Sequence, residues 1–123
     1  MNNFSKTVEE IILKDSHYKQ AAYYFVLAAL EYAQKKVEKY HHITGQELLE
    51  GIKEYALNEF GPTVYDVFKY WGINSSEDFG NIVFNMVDCG LMGKTEEDSL
   101  EDFKGGYDFK KVFVDEYKMK IEG

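Results

Sequence analysis

A chain of 123 residues, 45% hydrophobic and 29% charged, has the make-up of one globular domain rather than a disordered segment. Its formal charge is −8 and its basic residues are all lysines, so bidentate arginine reading of guanine or phosphate is excluded. The single cysteine, Cys89, rules out an internal disulfide and a thiolate metal cluster.

The charge is unevenly spread. Residues 77–108 hold nine acids against two lysines, while residues 1–76 hold ten acids against eight. The opening "MNNFSKTVEEIILKD" lacks a basic region followed by a sustained apolar stretch, so it does not read as a signal peptide. The longest apolar run, Ala21 to Leu30, is too short to span a bilayer. A cytoplasmic protein without membrane contact is expected.

Hydrophobic periodicity and capping residues predict helices along most of the chain. Thr7 with Glu10 suggests a capping box, and Val8, Ile11 and Ile12 give a short helix one apolar face. "DSH" at 15–17 interrupts it and offers Asp15 or Ser16 as the next N-cap. The longest helix is expected over about Tyr18 to Tyr40, with Ala22, Val26, Ala29, Ala33, Val37 and Tyr40 as its stripe. Apolar residues surround it between Tyr23 and Leu30, which suggests a central position.

Thr44 with Glu47 forms a second capping box, followed by a buried face of Leu48, Leu49, Ile52, Tyr55 and Ala56. Gly61-Pro62 ends that helix and places Pro62 at the first position of the next. Val64, Val67, Phe68 and Trp71 form its apolar side, and Gly72 is a natural left-handed stop. Ser75 or Ser76 then caps a helix with acids in its first turn, where the helix dipole favours them. Phe79, Ile82, Val83, Met86 and Val87 are its core face, and Gly90 its end.

Beyond Gly90, Thr95 with Asp98 suggests either a short helix holding Leu100 and Phe103 or an extended hairpin arm. Gly105-Gly106 marks a turn, "YDFKKVF" fits a helical turn capped by Asp108, and "EYKMKI" alternates like an edge strand. The expectation is a single, mostly all-α domain over residues 1–123 with five to six helices. Its C-terminal half is expected to be winged-helix-like, with a minor β-hairpin.

Several blocks in this order carry a family resemblance: "GQELLEGI" at 45–52, "FGP" at 60–62, "WGI" at 71–73, "EDFG" at 77–80, "GLMGKTEEDS" at 90–99 and "GYDF" at 106–109. Over about residues 42–109 the chain resembles a conserved hypothetical bacterial family of planctomycetes and verrucomicrobia. That resemblance implies no activity, substrate or catalytic residue.

In the winged-helix reading, residues 76–89 are the recognition helix and 91–112 the wing. A DNA-reading helix should expose Lys, Arg, Asn or Gln. Here the outward positions are Glu77, Asp78, Asn81, Asn85 and Asp88, and the wing adds Glu96, Glu97, Glu101 and Asp102. Two asparagines suit adenine edges, but the carboxylates oppose phosphate and the counterion release that lysines supply is missing. The acidic run 96–102 lacks the alternating ligands and central glycine of an EF-hand loop.

His17 and His41/His42 flank the long helix, roughly 33 Å apart at 1.5 Å per residue, so they do not share one metal. Cys89 has no basic neighbour and reads as a packed residue. No phosphate-binding glycine loop, nucleophile elbow or zinc-protease motif occurs. No metal, cofactor or catalytic residue is therefore assigned. The leading expectation is a non-enzymatic intracellular module that binds a protein partner or self-associates through the nine acidic and amide positions named above. The alternatives are a DNA-binding regulator using Asn81 and Asn85, and an enzyme with an aromatic-lined pocket.

Overall fold

A computed structural model describes residues 3–38, 43–90, 103 and 105–116. These residues are mainly helical. Five α-helices follow in order: α1 (Asn3–Lys14), α2 (Gln20–Val37), α3 (Gly45–Phe60), α4 (Val64–Tyr70) and α5 (Ser76–Asp88). A 3₁₀ turn over Gly61–Thr63 joins α3 to α4, and a helical segment at 109–116 takes π-type geometry over Lys111–Asp115.

Helix α2 is the centre of the fold, as its all-round apolar stretch suggests. Ala22, Tyr23, Phe25, Val26, Ala29 and Ala33 are all buried along it. Its small residues let α3 approach closely: a Cβ built on Gly51 would lie 2.6 Å from the Ala33 Cβ. Alanine facing glycine is thus a condition of this helix crossing. Leu48, Leu49, Ile52 and Ala56 then fill the α3 side of the core.

An aromatic cluster holds the remaining elements together. Phe68 of α4 is fully buried, with ring centroids 5.5 Å from Phe25, 5.3 Å from Phe79 and 5.4 Å from Phe113. One side chain therefore links α2, α4, α5 and the C-terminal segment. Burying a ring of this size removes large apolar area from water, and edge-to-face pairs add a directional preference.

Phe103 and residues 105–113 are pinned to α5 and α3 by a few specific contacts. Ser76 is 2% exposed, and its hydroxyl donates to the Phe103 carbonyl (2.6 Å) and accepts from the Gly106 amide (3.0 Å). The Tyr107 hydroxyl donates to the Leu49 carbonyl (2.8 Å). Asp108 caps the following turn through the Lys111 amide (3.0 Å), and Phe109, Val112 and Phe113 reach the core at helical spacing. No strand occurs among the described residues, so neither the minor β-hairpin nor the winged-helix-like C-terminal half finds support there. The stretches 91–102 and 117–121, on which wing and edge strand were expected, lie outside them.

Three local expectations need correcting. Helix α1 begins at Asn3, so Thr7 lies inside it and is not a cap. The N-cap position of α2 is Lys19, without a side-chain cap; Asp15 instead accepts from the His17 amide (3.0 Å). Pro62 sits in the 3₁₀ turn rather than at the start of α4.

Candidate functional site

The α1–α2 turn, residues 15–19, packs against two elements at once. The Lys19 amide donates to the Trp71 carbonyl (3.1 Å), which fastens the turn to the end of α4. On its other side the Tyr18 hydroxyl donates to Asp78 Oδ1 of α5 (2.5 Å). Asp78 is at the third position of α5, and its Oδ2 accepts from the amides of Asn74 (2.7 Å) and Ser75 (3.1 Å). A carboxylate at a helix N-terminus satisfies amides that have no partner within the helix and is favoured by the dipole. Asp78 thus caps α5 and anchors the turn.

Two asparagines of α5 extend the arrangement. Asn81 Nδ2 donates to the Tyr18 hydroxyl and Asn85 Nδ2 to the Tyr23 hydroxyl, each at 3.1 Å. With Asp15, His17, Tyr18, Asp78 and Phe84 they line an open cleft of about 320 Å³. The His17 ring meets Tyr18 edge-on with centroids 4.5 Å apart. Among the described residues the cleft has two carboxylates and no lysine.

Burial raises the Tyr18 hydroxyl well above its ordinary pKa, and the hydrogen bond to Asp78 adds to the effect. Burial also raises Tyr23 and Tyr107. These phenols are therefore protonated at neutral pH and serve as hydrogen-bonding groups. The folded state holds their protons more tightly than the unfolded chain, whose tyrosines ionise near pH 10. Their contribution is fully present below that pH and is lost as pH rises through the raised folded values. An ultraviolet titration should show Tyr18, Tyr23 and Tyr107 ionising only with unfolding, after the exposed tyrosines. Ionisation of all tyrosines in one step with the fold intact would contradict it.

The outward side of α5 carries the other expected positions. Glu77, Asn81, Phe84 and Asp88 are all exposed, and their spacing of four, three and four residues makes one helical stripe. Asp78 and Asn85 sit at its inner edge. Of the nine expected interaction residues, five therefore gather on or beside one face. Glu96, Glu97, Glu101 and Asp102 lie outside the described residues. Phe84, 52% exposed at the middle of the stripe, was assigned neither to the core face nor to the polar side of this helix. Its signal was its place three residues after Asn81, on the polar side. Tyr18 was missed because its partners lie about sixty residues away.

A second cleft of about 280 Å³ lies where α2 meets α3, between Val37, Thr44, Glu47 and Gly51. No aromatic residue lines it among the described residues. Among the described residues no group of three or more His, Cys, Asp or Glu is placed to hold a metal, and no helix is long and apolar enough to cross a membrane. His41 and His42 are outside those residues. No protein-family model, curated protein or solved structure matches this chain.

Proposed function

We propose that this chain is a non-enzymatic interaction module and that the outward face of α5 binds a protein partner. The stripe Glu77–Asn81–Phe84–Asp88 carries the reading, because it sets an exposed aromatic ring between two carboxylates. An aromatic anchor within a charged rim is a common plan for a protein contact. From Glu77 to Asp88 the stripe runs roughly 16 Å at 1.5 Å per residue, a length that one helix or extended segment can cover. The partner it suits is basic around an apolar or donor-rich centre. Complementary charge speeds the encounter and disfavours other partners. Self-association through this same face is less favourable, since it would oppose like charges.

The DNA-binding alternative is weakened by the same geometry. Each asparagine already gives one of its two amide N–H groups to a tyrosine hydroxyl, a bond that turning the amide toward an adenine edge would strain or break. Glu77 and Asp88 flank them on the face that would meet phosphate.

Affinity capture with the purified protein tests the reading. The double variant Glu77→Lys/Asp88→Lys should lower recovery of a basic partner roughly tenfold or more, whereas Glu9→Lys/Glu59→Lys should not. Both doubles change the charge equally and alter exposed residues only. Equal recovery by the two folded variants would end the proposal.

A further inference from the structure

We propose that the cleft beside α5 receives one cationic side chain of the partner, an arginine or a lysine, laid against Phe84. The inference rests on the interaction reading above and names the group that enters this site.

The lining chemistry selects the charge. Asp15 and Asp78 contribute carboxylates and no lysine is among the described lining residues, so these side chains oppose an anion. It also presents hydrogen-bond acceptors. An amide carries an NH₂ donor at one end and a carbonyl acceptor at the other. Asn81 and Asn85 each give one N–H to a tyrosine, and each amide keeps its carbonyl as an acceptor beside its second N–H. Acceptors with negative charge suit a group that only donates and is itself positively charged, as guanidinium and ammonium are.

Phe84 supplies the remaining surface. Its ring lines the cleft while 52% exposed. A cation stacked on an aromatic face is attracted by the ring quadrupole, and the alkyl stem of a lysine or arginine covers apolar surface. The protein already contains such pairs on its own surface: the Lys19 ammonium lies 5.4 Å from the Tyr70 ring centroid and that of Lys69 5.2 Å from Tyr65. A small metal ion suits the cleft less well. Asp78 already accepts one hydroxyl and two amide bonds, and the described residues provide no set of three metal ligands. At about 320 Å³, the open cleft is of the size that takes a side-chain-sized ligand.

The test is an NMR titration of the full chain with three capped residues: N-acetylarginine methylamide, the lysine equivalent and the citrulline equivalent. Citrulline matches arginine in size but is neutral. The arginine and lysine probes should shift the side-chain amide signals of Asn81 and Asn85 and the Phe84 ring signals. The citrulline probe should bind at least about tenfold more weakly, because hydrogen bonds to a charged group are about twice as strong as neutral ones. Phe84→Ala, a change at an exposed position, should weaken the arginine probe about two- to fivefold, the range of an exposed cation–π contact.

Equal binding of citrulline and arginine, shifts confined to other regions, or no shifts at all would each overturn the inference. The two proposals fail separately. If the α5 charge reversal abolishes partner capture while no probe enters the cleft, only the cationic anchor is lost. If the probes bind but capture ignores the charge reversal, only the partner reading is lost.

Discussion

Replacing Phe68 with alanine should cost about 3–5 kcal/mol of stability, the range for truncating a buried phenylalanine. The value belongs at the upper end, because the ring also meets Phe25, Phe79, Phe109 and Phe113 at centroid distances of 5.3 to 5.5 Å. Aromatic pairs add about 0.5–1.5 kcal/mol beyond the area they bury. Domains of this size hold only about 5–15 kcal/mol in all, so the variant should be marginal. Urea unfolding measures it as a shift in midpoint with little change in slope. Phe68→Leu keeps most of the volume and should lose less. Hydrogen exchange adds a finer readout: amides of residues 109–116 should lose protection first, since Phe109 and Phe113 rest on Phe68. A loss below about 1 kcal/mol for the alanine variant would show that the cluster repacks and is not held by this ring.

Gly72→Ala should be the second severe substitution, and its cause can be separated into two parts. Gly72 has a φ of +88°, and a Cβ there would lie 2.4 Å from the His17 carbonyl oxygen. The backbone conformation alone costs roughly 1–2 kcal/mol for an alanine. The obstruction adds about 1–3 kcal/mol, because a main-chain oxygen cannot rotate aside. Gly90 provides the control. Its φ is +80°, but no described residue lies within 4 Å of a Cβ built there. Gly90→Ala should therefore show the backbone part only. The difference between the two variants, read from denaturant curves, isolates the steric part and should exceed about 1 kcal/mol. Gly72→Ala should also disturb the Asn81 side-chain amide signal, since the displaced turn carries Tyr18. Equal losses at both positions would show that the turn can move away from α4.

Much of the fold was legible because helices announce themselves locally. The Thr44–Glu47 box is present with both bonds at 3.0 Å, and Ser75 and Asp78 hold the positions of a second N-terminus. The stripe Ala22, Val26, Ala29 and Ala33 is buried as its spacing required, while Tyr40 lies outside the described residues. The α1–α2 turn was misread because Asp15 had two local uses, and periodicity does not distinguish them. The candidate site was only half legible. Glu77, Asn81 and Asp88 stand out as polar positions on an amphipathic helix, so their common face follows from sequence. The meeting of Tyr18 with Asp78 and Asn81 does not, because it depends on how α2 crosses α5. The same crossing turns two asparagines that look like base readers into braces for tyrosines.

Phe103, Phe109 and Phe113 fill a core whose other walls are contributed by helices made earlier in synthesis. A ribosome adds about 5–20 residues each second, so α1 to α5 emerge while the place of these rings is still open to water. During that interval Phe68 and Phe79 present an oily notch, and Ser76 lacks its carbonyl partner. The notch closes only when residues 103–113 arrive, so full cooperativity is a late event in the making of this chain. A released chain truncated after Gly90 should stay loose and chaperone-sensitive.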